Sequence, residues 1–475
     1  MSYRFFRVSL IHVLYKVVKN GLHASLPMNH KRKKSPITWV PTAYFAMGLP
    51  FVVLNMVTVL MFKGLEVDDK LITFWTSLIL LPWTLKPLWS PFLELFRTKK
   101  FFVIATQLVT GVTFGLVAFS LNLPHFFSIS IALLAVIAFS GATHDIACDG
   151  VYMSELSNEE QAKFIGWQGA FYNIAKILAT GGLVYLAGYL IEMNVEDGML
   201  SATKRAWMII LLILSVTMLL LGLYHFFALP STQAKKKKEE ALTTREVLRE
   251  LGEVLLDFFR KTHIVYYICF IILYRFAEGF VMKIVPLFLK ASRETGGLGL
   301  NEKEIGLYYG TYGAAAFVLG SLLAGYYIAR RGLKNTLFTL CCIFNFPFVV
   351  YALFAYLQPE SGWIICSGIV FEYFGYGFGF VGLSLFMMQQ VAPGKHQMAH
   401  YAFASGIMNL GVMIPGMLSG WVCESLGEWF NKPGGYEPFF IFVLIATIPA
   451  FLITYFIPFK YDNNGKLIEG EREYI

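Results

Sequence analysis

The run Gly141-Ala-Thr-His144-Asp145-Ile-Ala-Cys-Asp149-Gly-Val-Tyr152 closes an apolar stretch that begins near Phe126 and is long enough to cross a bilayer as a helix. Asp145 and Asp149 are four apart and share a helix face, with His144 beside them. Ionisable side chains at membrane depth are costly and mark ion or substrate paths, so the stretch reads as the mechanical centre of a transporter. The competing reading is a helix-end cluster that pairs with nearby Lys and Arg to hold two helices together.

Outward from this run the same pattern recurs. Of 475 residues, 56% are hydrophobic and only 15% charged, and mean hydropathy is +0.59, outside the range of soluble globular domains. About twelve apolar stretches are each long enough to span a hydrocarbon core of about 30 Å. The first covers Ile37 to Phe62 and contains Gly48-Leu49-Pro50, expected to bend or open the helix, with Tyr44, Gly48, Phe51 and Asn55 on one face. The next three cover Leu71 to Pro91, Phe101 to Leu121 and Phe126 to Asp149; a fifth starts near Gln161 and a sixth near Ala206. The remaining six cover 263–289, 304–329, 333–357, 362–391, 397–422 and 437–459.

The net charge of +8 does not indicate a nucleic-acid partner, because the basic residues lie mainly in connections between apolar stretches, as membrane orientation requires. Their bias predicts both termini on the cytoplasmic side. The six cysteines lie in or at the ends of apolar runs, without C-x-x-C or zinc-type His spacing, so neither a disulfide framework nor a metal or other cofactor is expected. Arg7, His12, Lys16 and Lys19 break the apolar patches of residues 1–27, which read as a short surface helix or as sequence upstream of the native start rather than as a signal peptide.

One long polar connection, opening with Lys235-Lys-Lys-Lys238, divides the chain. Within it Val247, Leu248, Leu251, Val254, Leu255 and Phe258 recur at helical spacing and predict an amphipathic helix on the inner membrane surface. The expected organisation is an N-terminal segment 1–36, a six-helix bundle 37–229, a basic linker 230–262, a second six-helix bundle 263–459 and a tail 460–475. The halves repeat. Gly325-Tyr-Tyr-Ile-Ala329-Arg330-Arg331-Gly332-Leu-Lys334 follows the eighth stretch, and an offset of 235 carries its start to Ser90-Pro-Phe-Leu-Glu94, and Gly181 to Gly416. A parallel repeat of six spans implies two packed bundles with a cavity near the bilayer midplane.

Gly325, Arg330, Gly332 and Lys334 resemble the cytoplasmic-loop signature of the major facilitator superfamily, with Ala329 where an acid is usual and Glu94 supplying the acid in the first copy. Three separated motifs resemble the AmpG-like muropeptide permeases and the related acetyl-coenzyme A transporters: Gly48-Leu49-Pro50, Lys86-x-Leu88-Trp89-Ser90-Pro91-x-x-Glu94 and Thr143-x-Asp145-Ile146-Ala147-x-Asp149. His144 stands where the permeases carry glutamine, and Met153 where many carry arginine. The resemblance implies an all-α, twelve-helix major facilitator fold working as a monomer in the inner membrane. It also implies proton-driven import of a sugar-containing or peptidoglycan-derived solute.

Ionisable residues inside spans are few: Lys86, Lys176, Arg275, Glu278, Lys283 and Glu372, beside the fourth-span cluster. Arg275 and Glu278 are three apart and can pair. Lys176 shares a polar stripe with Asn173 and Thr180, and Glu372 and Tyr373 precede the glycine run Gly375 to Gly379. The candidate substrate residues are Tyr44, Asn55, Asn173, Lys176, Arg275, Lys283, Tyr373 and Asn409. The candidates for proton coupling or gating are His144, Asp145, Asp149, Glu278, Glu372, Glu94, Lys86, Arg97 and Arg330, with Glu94 and the two aspartates expected to meet Lys86, Arg97 or Arg330. In-span cations exceed the acids of their own helices, which predicts an anionic substrate. Transport of an acyl-coenzyme A, nucleotide or sugar phosphate is the alternative within this class. A membrane-embedded transferase using His144 and Asp145, and a non-transporting receptor, are the alternatives outside it.

Overall fold

The computed structural model describes residues 34–96, 98–156, 158–230, 244–394, 396–461 and 467. Twelve long helical segments run through them: α1 (Pro36–Gly64), α2 (69–96), α3 (Lys99–Ser120), α4 (Phe126–Glu155), α5 (158–193), α6 (Met199–Ala228), α7 (264–290), α8 (Glu302–Arg331), α9 (Leu333–Leu357), α10 (Gly362–Val391), α11 (Gln397–Phe430) and α12 (Pro433–Tyr455). Ten of the described helices are long and apolar enough to cross a membrane unbroken. The other two, α2 and α7, are interrupted.

The interruptions have local causes. In α2 the helix stops at Leu78 and restarts at Leu81, where Pro82 has no N–H to give the preceding turn. In α7 Arg275 leaves helical geometry (φ −106°, ψ 5°) between Ile264–Tyr274 and Phe276–Lys290. Pro50 does not break α1; the helix passes through it and widens into a π segment at Val53–Val57. Helix α6 starts at Met199, seven residues before the expected Ala206, because Ala202 and Thr203 are buried and continue its packed face.

Helices α1–α6 form one half and α7–α12 the other. Within the halves α3 packs on α4 and α6, α1 on α5, α8 on α10, and α9 on α10. The Gly375–Gly379 run serves close packing: a Cβ on Gly377 would stand 2.1 Å from the Phe317 carbonyl of α8. The halves meet where α5 crosses α8 and α2 crosses α11. These crossings share a construction. A Cβ on Gly181 (α5) would lie 2.3 Å from Thr311 Oγ1 (α8), and one on Gly416 (α11) 2.7 Å from Ser77 Oγ (α2), so the two glycines related by the 235-residue offset hold equivalent positions in the two crossings. At the first crossing both helices are π-wound, over Leu178–Leu183 and Gly306–Gly313, and Thr180 Oγ1 donates to the Gly310 carbonyl at 3.2 Å.

Cross-half polar contacts gather at the end of the molecule that carries the α1–α2 connection. Lys70 at the start of α2 pairs with Glu424 near the end of α11 at 2.5 Å, and Lys303 at the start of α8 pairs with Glu192 near the end of α5. The Tyr436 hydroxyl reaches Asp69 at 3.4 Å. The structure is therefore closed at the α1–α2 face. At the other face lies the linker, whose described part is a helix over Thr244–Phe259. Its Val254 and Phe258 are buried, Phe258 against Phe403 and His400 of α11, and Lys261 Nζ donates to the carbonyls of Val391, Ala392 and Pro393 at the end of α10 at 2.6, 3.1 and 2.7 Å. The Lys235–Lys238 run and residues 1–33 lie outside the described residues.

The crossings predict two different effects of one added methyl group. Gly377→Ala overpacks a contact inside one half and should cost about 2 kcal/mol or more of thermal stability. Gly310→Ala puts a Cβ 2.0 Å from the Thr180 carbonyl of the other half, a clash that parting of the halves relieves. It should leave the melting point near wild type while speeding maleimide labelling of a Ser77→Cys probe in a cysteine-free background. Equal thermal losses with unchanged labelling would refute the assignment of this crossing as separable.

Candidate functional site

A cavity of about 430 Å³ lies between the halves, lined by α1, α2, α5, α7, α8, α9, α10 and α11. Seven of the eight expected substrate residues line it: Asn55, Asn173, Lys176, Arg275, Lys283, Tyr373 and Asn409, together with Glu278 and Glu372. Three cations thus face two carboxylates, and each cation is compensated differently.

Arg275 and Glu278 form a bidentate pair, Nε to Oε2 and Nη2 to Oε1, both at 2.5 Å. The break at Arg275 starts a new helix whose first turn carries Glu278, so the three-residue spacing brings both side chains to one side, with the Arg275 guanidinium over the Phe380 ring at 5.2 Å. Lys283 donates to the backbone and side-chain carbonyls of Asn55 at 2.9 and 3.0 Å and to the Thr76 carbonyl at 3.4 Å. Lys176 faces aromatic rings instead: its Nζ lies 4.3 Å from the Phe317 centroid, 5.7 Å from Tyr373 and 5.8 Å from Tyr376. No ion pair among the described residues includes Lys176. Glu372 is buried and accepts from the Tyr351 hydroxyl at 2.9 Å.

The fourth-span cluster lies outside this lining, toward the linker face. Asp145 Oδ2 accepts from Trp83 Nε1 at 2.9 Å and from Lys86 Nζ at 3.3 Å, tying α4 to α2. One turn on, exposed Asp149 accepts from the Tyr44 hydroxyl at 2.8 Å, which itself accepts from Gln168 Nε2 at 2.8 Å. Tyr44 thus belongs to this carboxylate cluster and does not line the cavity. His144 points away from both aspartates, since one helical step turns a side chain by about 100°. It joins a buried chain in which Gln107 bridges His144 Nε2 and His225 Nδ1, and His225 Nε2 meets Thr42 Oγ1, each contact at 2.9 Å. With the amide oriented this way Gln107 donates to His144, placing that ring's hydrogen on Nδ1.

Of the remaining gate candidates, Arg330 is exposed and lies over the ring of Tyr326, its own helical neighbour, at 4.2 Å. Arg97 and the Glu94 side chain lie outside the described residues. Sequence reading did not select Trp83, Tyr351 or, of the rings around Lys176, Phe317 and Tyr376. Trp83 was within reach, being three residues from Lys86 on the same face of α2; Tyr351 meets Glu372 only across two helices.

Two six-helix halves around a charged, aromatic-lined central cavity, closed at one face, define a multi-pass membrane transporter. The chain belongs to the Major Facilitator Superfamily, whose family model matches residues 42–399 and 275–473. Membership in a transporter family sets aside the transferase alternative. Its relatives include the anhydromuropeptide permease of Escherichia coli K12, 23% identical over 424 residues, covering 86% of this chain and 77% of the permease. An uncharacterized protein of Haemophilus influenzae is 23% identical over 439 residues, covering 88% and 94%. The crystal structure of a D-xylose-proton symporter superposes with a TM-score of 0.69 at 12% identity, covering 91% of this chain and 99% of that one, a likeness of fold.

The buried Arg275–Glu278 pair lends itself to a double-mutant cycle. Glu278→Gln strands a guanidinium beneath Phe380 and should cost about 3–5 kcal/mol in thermal unfolding, whereas Arg275→Gln/Glu278→Gln should recover most of it. Additive losses would show that the two side chains are not coupled.

Proposed function

We propose that the protein is a proton-coupled importer of a sugar-containing anionic solute, such as an anhydromuropeptide or amino-sugar derivative, across the inner membrane, acting as a monomer. The linker face and both termini are then cytoplasmic, and the closed α1–α2 face is external. The observation that carries the reading is Lys176. Arg275 is neutralised by Glu278, and the three N–H donors of Lys283 are taken, which leaves Lys176 as the cavity cation without an ion pair or hydrogen bond among the described residues, set over ring faces with Glu372 acting on it across the cavity. Ring faces attract a cation weakly compared with a carboxylate or phosphate oxygen. A ligand carboxylate supplies the missing counter-charge, and Asn55, Asn173 and Asn409 offer hydrogen bonds suited to hydroxyl and acetamido groups. The name of the permease relative fits such a solute. A phosphate-bearing acyl-coenzyme A or nucleotide satisfies the same charge argument and is the alternative.

Glu372 is the favoured proton carrier, because Tyr351 is its one hydrogen-bond partner among the described residues and a carboxyl group is far easier to bury neutral than charged. Glu278, Asp145 and Asp149 are the other candidates. Alternating access follows when protonation and ligand binding favour one state over the other.

Two measurements test this. In membrane vesicles, N-acetylmuramic acid should compete with uptake of the labelled solute better than the neutral N-acetylglucosamine, and Lys176→Gln should erase about tenfold of that preference. Equal competition by both, unchanged in Lys176→Gln, would make the lysine structural and the anionic reading wrong. Glu372→Gln should abolish gradient-driven accumulation while sparing exchange. Undiminished accumulation in Glu372→Gln and in the amide variants of Glu278, Asp145 and Asp149 would end the proton-coupled reading.

A further inference from the structure

We infer that Lys283 is the inner bolt of the α1–α2 gate: a charged latch between the halves, released when that face opens, rather than a substrate cation. The inference rests on alternating access and on no particular substrate.

Lys283 belongs to α7 in one half, and its three acceptors belong to α1 and α2 in the other. Depth places them together. Lys283 is seven residues, about 10 Å, from the end of α7 at Lys290, and Thr76 is seven from the start of α2 at Asp69. The contact is thus the roof of the cavity, below the partly exposed Lys70–Glu424 and Lys303–Glu192 pairs. A path from the α1–α2 face to the cavity runs between α1–α2 and α7–α11, so opening it must break these bonds.

The local build fits a latch. A π turn bonds its backbone five residues apart and leaves carbonyls for outside donors. In Val53–Val57 the Thr58 hydroxyl takes the Leu54 carbonyl at 2.9 Å, and Lys283 takes that of Asn55. The lysine stem is buried and passes beside Gly416 of α11. Nearby carboxylates are committed elsewhere, Asp69 to Lys63 at 2.8 Å, Glu424 to Lys70 and Glu278 to Arg275. The ammonium therefore rests on neutral oxygens, a charge-assisted contact weak enough to release and too fully occupied to bind a ligand while the gate is shut.

The test reads the gate directly, without substrate. In a cysteine-free background carrying Ser77→Cys, the probe beside this contact, labelling by a membrane-impermeant maleimide from the α1–α2 face is timed. Lys283→Gln should speed labelling about tenfold, and Lys283→Arg, which keeps the cation, should restore most of the protection. Asn55→Asp supplies a carboxylate in place of the amide and should slow labelling below the Asn55 parent. Unchanged labelling in a monodisperse Lys283→Gln protein would overturn the inference. Should that variant not fold, Asn55→Asp decides alone, and labelling equal to or faster than the parent's overturns it. Failure of the solute or proton reading would leave these labelling rates untouched, so the two outcomes are separable.

Discussion

A cation in the apolar interior of a membrane protein needs compensation, and the middle of this molecule is arranged by the three ways its cavity cations obtain it. Arg275 takes a carboxylate from its own helix, Lys283 takes carbonyl oxygens from the opposite half, and Lys176 takes the faces of aromatic rings. These solutions have different consequences for motion. The Arg275–Glu278 pair lies within one segment of α7 and travels with it. The Lys283 contact spans two halves and depends on their relative position. The Lys176 contact also crosses halves, since Phe317, Tyr373 and Tyr376 lie on α8 and α10, but ring faces hold a cation without saturating its donors, so it can change partners at small cost.

Helix winding supports the same division. Three of the four π segments among the described residues, in α1, α5 and α8, sit where the halves touch, at Val53–Val57, Leu178–Leu183 and Gly306–Gly313, while the fourth, Met387–Val391 in α10, offers its Val391 carbonyl to Lys261 of the linker. Each widened turn presents backbone to a neighbour. Asn55 gives its carbonyl to Lys283, and Gly310 gives its own to the Thr180 hydroxyl. In α5 and α8, Gly181, Gly306 and Gly310 let the backbones approach to distances at which a Cβ would collide. A gate built in part from backbone carbonyls and glycine surfaces is suited to contacts made and broken repeatedly.

The helices and their grouping were legible in the sequence, since apolar stretches and one basic connection needed only length and composition. The repeat was legible to the residue at Gly181 and Gly416, which the structure places at equivalent crossings. The cavity lining was legible in large part, because ionisable residues are so rare in the spans that each one stands out. Sequence proximity misled at two points. His144 adjoins Asp145 in the chain, yet a helix turns neighbours apart, and the histidine joins Gln107 and His225. Tyr44 shares a helical face with Asn55 but lies three turns nearer the linker face, against Asp149. What the sequence could not show was pairing across helices: Tyr351 with Glu372, Trp83 with Asp145, and above all Lys283 with a backbone carbonyl, since every residue has a carbonyl and none signals its use.

The closed face also sets how tightly the halves are held. Its outer pairs, Lys70–Glu424 and Lys303–Glu192, are partly exposed, with glutamates 44% and 52% accessible, so solvent screens them and they contribute little. Closure then depends on the packed crossings and on the buried contact at Lys283, not on the charges most visible at the rim. A contact between an ammonium and neutral oxygens is strong enough to bias a two-state equilibrium yet lacks the full penalty of separating a buried ion pair. A gate so balanced lies within reach of a ligand's differential affinity for the two states, which is the free energy a transporter has available to reverse it. Had Lys283 faced a carboxylate, as Arg275 does, the same ligand would have had to overcome a buried ion pair at every cycle.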